Sequence, residues 1–252
     1  MAKQKGIIPL RGTIGNITFY KSADGYLARE KGGIDGQRIA TDPAFQRTRE
    51  NGAEFGRAGL AGKLLRHALR TLLQETSDAR MVGRLTREMV KVIKADAVNP
   101  RGLRNVIDGE AELLEGFEFN FNSKLGTTLF APFTATIDRV AGSLAVHIEG
   151  FIPSNMIAAP AGSTHFKIIT AGAEIDFENE VFVVNRSQTP ELPINNVATA
   201  VIDLSNAVTA NSTKPLFLAL GIVFYQEVNG TMYSLKNGAF NALALVKVSG
   251  EA

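Results

Sequence analysis

The 252-residue chain contains no cysteine and no tryptophan. Without cysteine there are no disulfides, no thiolate nucleophile and no Cys-type zinc site. This leaves the compartment open. The three histidines are scattered, and none pairs with another at metal-ligand spacing. No apolar run approaches the roughly 18–20 residues that a membrane-spanning helix needs. The start, MAKQKGIIPLRG, has a basic beginning but only a short apolar run before Arg11, less than a signal-peptide core requires. Neither a membrane span nor classical secretion is expected. The compatible locations are the cytoplasm, or a phage-like or extracellular assembly exported by a non-classical route.

Motifs for chemistry are also missing. Gly12-Thr13-Ile14-Gly15-Asn16 satisfies neither the phosphate-loop nor the dinucleotide-binding pattern and reads as a β-turn. No serine has the GxSxG context of a hydrolase elbow, and no pair of carboxylates stands out as an acid/base couple. With four tyrosines and no tryptophan, an aromatic carbohydrate-binding face is poorly supplied. The expectation is a non-enzymatic protein with no cofactor, no metal and no small-molecule substrate.

What the chain does have is a globular composition, 45% hydrophobic and 21% charged, and enough length to bury a sizeable core. Its net charge of +2 conceals a polarity. Residues 1–104 hold 20 Lys/Arg against 10 Asp/Glu, and residues 105–252 hold 7 against 15. Such asymmetry suits either a basic region for a polyanion or two complementary surfaces that attract one another.

Residues 6–40 read as a glycine-punctuated β-ribbon, with short β-favouring runs at 7–10, at Ile14, at 17–20 and at 25–29, separated by Gly12, Gly15-Asn16 and Ala23-Asp24-Gly25. The Asp24-Gly25 step is a hairpin signal, and Pro9 confines its strand to an edge. The stretch TDPAFQRTRENGAEFGRAGLAG, residues 41–62, then turns helical. Asp42-Pro43 is a helix-start signal. Gly52, Gly56 and Gly59 recur on one narrow face, which indicates either a loosened helix or another backbone passing close by.

Further on, Leu64, Leu65, Ala68, Leu69, Leu72 and Leu73 give an amphipathic helix to about Gln74. Ser77-Asp78 caps a second helix bearing Val82, Leu85, Met89, Val92 and Ile93, so the pair forms a basic helical hairpin. A short acidic helical piece at 108–115 leads into an alternating strand at 117–121. From there the pattern is β, with strands at 133–139, 143–149, 164–170, 173–177, 180–185, 199–204, 215–226, 231–236 and 240–248. Hairpin tips fall at Ala141-Gly142-Ser143 and Asn229-Gly230. The expected fold is α+β: an N-terminal β-ribbon (1–40), a helical segment (41–116) and a C-terminal antiparallel immunoglobulin-like β-sandwich (117–252). Glu174, Asp176, Glu178 and Glu180 alternate with Ile175 and Phe177. This reads as a solvated strand face, with Ca²⁺ ligation or contact with another copy's basic helices as alternatives.

The segments GIIPLRGTIGNITFYKSADGYLAREKGG, TDPAFQRTRENGAEFG and LRNVIDGEAELLEGFEFN together resemble an uncharacterised protein family found in Bacteroidota genomes. The resemblance covers essentially the whole chain. It implies that ribbon, helices and sandwich belong together as one unit, and it supplies no catalytic residues.

The residues point to self-assembly into a head-to-tail homo-oligomer, ring or filament, a surface appendage or a phage-particle component. The expected contacts are Ile7, Ile8, Leu10, Ile17, Phe19, Tyr20, Tyr26, Phe45, Arg47, Arg49, Gly52, Phe55, Gly56 and Gly59. The ribbon would add as a strand to a neighbour. The alternative is nucleic-acid binding through Lys63, Arg66, Arg70, Arg84, Arg87, Lys91 and Lys94. Aromatic rings are not interleaved with those charges, as stacking on single strands would require.

Overall fold

The computed structural model describes all residues except Met1, Ile7, Lys31, Ser77, Glu251 and Ala252, and only the backbone of Lys236 and Asn237. The expected contact Ile7 and the expected cap Ser77 therefore lie outside the described residues. The chain divides into two compact units, residues 1–49 and 50–252.

The first unit is a four-stranded antiparallel ribbon. Its strands are β1 (Ala2–Lys3), β2 (Gly12–Ile14), β3 (Ile17–Ser22) and β4 (Gly25–Glu30), in the order β1-β4-β3-β2. Gly15 and Gly25 make its turns at φ +57° and +106°, which only glycine adopts without strain. Of the strand expected at 7–10, the described residues 8–10 are not in a strand. Instead the Gln4 side-chain amide accepts from Leu10 N at 2.8 Å and donates to Leu27 O at 2.9 Å, doing the work of a backbone ladder there. A helix absent from the sequence reading, α1 (Gly36–Thr41), follows. Asp35 caps it by accepting from Gln37 N at 3.1 Å. Asp42 then accepts from Ala44 N at 2.9 Å ahead of Pro43, as the Asp-Pro signal predicts, and the helix it starts opens with one 3₁₀ turn, Pro43–Phe45, that runs directly into the long helix at Gln46.

Three layers make up the second unit. α2 (Gln46–Ala68), α3 (Arg70–Leu73) and α4 (Met81–Ala95) form the helical layer. The expected continuous helix to Gln74 is interrupted at Leu69, whose φ and ψ of −91° and 11° leave the helical region. Between the helices and the sheets, the acidic piece expected at 108–115 contracts to a 3₁₀ turn, Ala111–Leu114. The remaining elements are α5 (Leu125–Thr128), β5 (Phe133–Asp138), β6 (Ser143–Ile148), α6 (Pro153–Met156), β7 (His165–Asp176), β8 (Val181–Gln188), β9 (Leu192–Pro193), β10 (Ile202–Ala207), β11 (Leu216–Val228), β12 (Thr231–Ser234) and β13 (Ala242–Ser249). A six-stranded sheet runs β12-β11-β7-β8, with β13 also on β11 and β9 on β7. A three-stranded sheet runs β10-β6-β5. Every pairing is antiparallel, so the fold is α+β with antiparallel sheets.

Side-chain alternation along β11 explains the layering. Phe217, Ala219 and Val223 face the helices and pack with Leu65, Leu69, Leu85, Met89 and Ile93. Leu216, Leu218, Leu220, Ile222 and Phe224 face the smaller sheet, against Leu144, Val146, Ile148, Ile202 and Leu204. Both faces of the strand are covered, which is why it reads as an unbroken apolar run. Helices and sheets share one core, so the observed division falls at 49/50 rather than at 40 and 116.

Two strand assignments change. The segment 117–121 makes a single bridge, Glu118 to Ala244, with Phe119 N donating to Leu243 O at 2.8 Å. Phe117 and Phe119 are buried in edge-to-face contact at 5.1 Å, while Phe121 points out, so the three phenylalanines do not share a face. The strands expected at 164–170 and 173–177 are one strand, β7. Ala171-Gly172-Ala173 looks like a turn but is a close approach between layers. A Cβ on Gly172 would lie 2.9 Å from Asn206 Cβ and 3.2 Å from Leu144 Cβ. Gly172→Ala should therefore destabilise the protein by about 1–3 kcal/mol through overpacking, read as a lower midpoint in urea with an unchanged slope.

Candidate functional site

The expected assembly contacts of the first unit occupy a surface with almost no interior. Leu27 is the one buried residue among the described residues 2–49. Ile8 is 79% exposed and Ile14 66% exposed, and Leu10 and Ile17 are also exposed. Phe19, Tyr20 and Tyr26 are half-buried. Cations stack on the tyrosines across strands, with Arg11 and Lys21 at 5.6 and 5.5 Å from the Tyr26 ring and Arg29 at 5.5 Å from Tyr20. Arg38 lies 5.8 Å from the ring of Phe45. Arg49 donates to Ile39 O at 2.7 Å and Asp42 O at 2.9 Å, fixing the turn between α1 and the 3₁₀ helix, while Arg47 is exposed.

In the second unit, a Cβ added at Gly52, Gly56 or Gly59 meets nothing within 4 Å. Among the described residues of this unit no backbone packs on this face, and Phe55 and Leu60 beside it are exposed. The close-packing expectation therefore finds no partner within the described residues.

The expected polyanion residues divide. Arg84 is half-buried and turned inward. It pairs with Asp78 at 2.5 Å, donates to Glu118 O and Phe119 O, and lies over the rings of Phe117 and Phe121. It clamps α4 to the 117–121 segment, a correction to its expected role on an open helix face. Arg87 and Lys91 both engage Glu88, at 3.0 and 2.5 Å, and Arg66 donates to Gly62 O. Lys63, Arg70 and Lys94 are exposed.

Nearby, Arg57 donates to Gly102 O and Arg104 O. Glu54, buried on α2, accepts a two-pronged bond from Arg104 at 2.8 and 2.9 Å and a third from Gly102 N at 2.8 Å. The Arg104 hydrogen bond holds the Glu54 carboxyl below its ordinary value, and Glu54 in turn raises Arg104. This pair carries structure rather than a site.

Among the described residues, no three His, Cys, Asp or Glu side chains form a group able to hold a metal ion. The acidic run is not one solvated strand face. Glu178–Glu180 form the β7–β8 turn, with Glu180 at φ +55°. Asp176 caps that turn, accepting from Glu178 N and Asn179 N at 3.0 Å and from the Asn179 side chain at 2.9 Å. Glu174 accepts from Thr209 N at 3.0 Å. His147 bridges Asp203 at 2.6 Å and Glu149 at 3.2 Å on the outer face of the small sheet, and those bonds, Asp203 first, raise its pKa. A cleft of about 270 Å³ lies between α2 and the start of β8, lined by Leu60, Leu64, Val106, Phe177 and Phe182, with Lys63 and His67 among the polar groups at its wall.

The surface that the sequence reading missed is β8 itself. Val181, Phe182, Val183 and Val184 are all exposed, and β8 ends the sheet order. A non-alternating apolar run is the signature of a strand covered on both faces, as β11 is. In β8 the same signature belongs to an edge.

Two predictions follow from these placements. Gly56→Ala should stabilise the isolated chain by about 1 kcal/mol, since a Cβ has open space and Ala is the better helix former; chemical denaturation measures it. The hydrogen bonds from Asn179 lower Asp176 from 3.8 to about 2, so its stabilisation is present above the unfolded value and lost as pH falls through the folded one. The stability gap between wild type and Asp176→Asn should accordingly shrink between about pH 4 and pH 2 in pH-resolved urea melts. Compared with known proteins, the chain matches no protein-family model, no curated protein and no solved structure.

Proposed function

We propose that this is a non-enzymatic structural protein that self-assembles into a homo-oligomer through its N-terminal ribbon. The observation that carries the reading is the ribbon's lack of a core. Among its described residues one is buried, and Ile8, Leu10, Ile14 and Ile17 are exposed. A small sheet needs a hydrophobic face packed on something to be stable, and isoleucines held in the open are the mark of a surface meant to be covered. The polarity of charge supports the same reading, since a head-to-tail contact brings a basic half against an acidic one. The two facing antiparallel sheets support an immunoglobulin-like comparison for the C-terminal region, with the helices as an added third layer. The proposal places such an assembly on a cell surface, in a phage particle or in the cytoplasm.

Nucleic-acid binding is the weaker reading. Arg84 is turned inward, and Glu88 offsets the exposed Arg87 and Lys91, which weakens the patch for phosphates relative to the helix pattern.

The test compares the full chain with a variant lacking residues 2–40, by sedimentation velocity and negative-stain microscopy without added ligand. The full chain should form particles many times the 27.1 kDa protomer. The shortened chain, which keeps both hydrophobic clusters, should be a folded monomer. A monomeric full chain at high concentration would sink the reading. Absorbance near 260 nm that co-purifies with the chain and is lost in high salt would favour nucleic acid instead.

A further inference from the structure

We propose that β8 is the acceptor edge, onto which the N-terminal ribbon of a second copy adds as a strand; the proposal rests on the self-assembly reading above. Four observations converge on this edge.

The strand is terminal in the six-stranded sheet and, among the described residues, pairs with β7 alone, so one side of its backbone is open to a further strand over the stretch that begins at Val181. At its far end Ser187 Oγ already donates to Ser205 O of β10, which confines the free stretch to the Val181 end.

Val181, Phe182, Val183 and Val184 expose apolar side chains on both faces of that stretch, with no charge or proline among them. Folded proteins protect exposed edges with lysine, proline or bulges, and a bare apolar edge is either a hazard or a joint. Four residues span about 13 Å, enough for a short strand to pair.

The ribbon supplies a strand of the right kind. Its outer strand β2 is an edge, and Ile14 on it is exposed. Added strands gain affinity from main-chain hydrogen bonds and specificity from alternate side chains set beside the acceptor's.

Finally, the charges match. Residues 1–40 carry seven Lys/Arg and three Asp/Glu, while residues 174–180, leading into β8, carry four Asp/Glu and no base. Electrostatic complementarity of this kind speeds encounter and suppresses the like-with-like pairing of β8 with another β8, whose neighbouring turns are both acidic.

The test uses the full chain. Val181→Lys with Val183→Lys places a cation opposite Asp176 and Glu174, the β7 partners of those positions. Both sites are exposed, so the thermal melt of the protomer should be unchanged. Assembly should be lost, with sedimentation shifting to the monomer. Because the chain has no cysteine, an Ile14→Cys protein mixed with a Val183→Cys protein should be joined by a short bis-maleimide, whereas Ile14→Cys mixed with Val197→Cys should not. If wild type assembles and the double-lysine variant assembles equally, β8 is not the acceptor while the self-assembly reading survives. If Val183→Cys cross-links only to itself, the occupant is a second β8 and the ribbon is excluded. A wild type that stays monomeric overturns both.

Discussion

The rest of the structure depends on one strand being apolar on both faces. β11 lies between β7 and β13 in the plane of its sheet, and its side chains alternate between the helical layer and the small sheet. Neither neighbouring layer can close without it. The close fit sets demands elsewhere. Gly221 on β11 has no room for a side chain, since a Cβ there would sit 2.8 Å from Ala242 O and 3.1 Å from Ile169 Cγ1. Gly172 on β7 meets the same restriction from the opposite layer. Two glycines in strand interiors, usually a weakness, are here the condition for close packing: Gly221 against its neighbouring strands β7 and β13, Gly172 against the small sheet.

Polar groups hold the layers in register at their margins. Glu54 and Arg104 tie α2 to the loop after α4, and Arg84 ties α4 to the segment that bridges to β13. Arg139 donates to Ser212 O and Lys214 O at 2.9 Å and also reaches Ser249 and Gly250, gathering the β5–β6 turn, the start of β11 and the end of β13. Asn241 accepts from Phe224 N and donates to Glu75 O, linking sheet to helices. Arg84 and Arg139 each work as a rigid fork satisfying several carbonyls, and Arg104 as a fork on a carboxylate, tasks that a lysine could not share. Among the first-half cations, Arg49, Arg57, Arg66, Arg84 and Arg104 are half-buried, while most of the others stay exposed.

Much of the architecture was legible in the sequence. The helical periodicity of 81–95, the Asn229-Gly230 turn and the alternation at 143–148 all follow from local rules, and their elements stand where those rules put them. What was illegible depended on distance. Gly172 read as a turn because nothing local reveals Leu144 and Asn206 pressing from another layer. Segment 7–10 read as a strand because no pattern announces that Gln4 will satisfy Leu10. Arg84 read as a surface cation because helix periodicity does not foresee the carbonyls of Glu118 and Phe119 arriving beside it. The exposed edge at 181–184 was hidden by its own composition, since the run that marks a buried strand also marks an unprotected one. The scarcity of buried residues among the described part of 1–49, by contrast, was foreshadowed by its short runs and frequent glycines.

The order of the chain adds a kinetic dimension to the shared core. Leu65, Leu72, Leu85 and Met89 belong to the helices of the first half, yet the strand residues that cover them, Phe217, Ala219, Leu243 and Leu245, come more than a hundred positions later. Contacts so distant in sequence form slowly, because a long loop must close before any of them is gained. During synthesis the helices therefore emerge with their apolar stripes uncovered and wait for β11 and β13. The interval between those two events is the period in which the nascent protein is most exposed to misassociation.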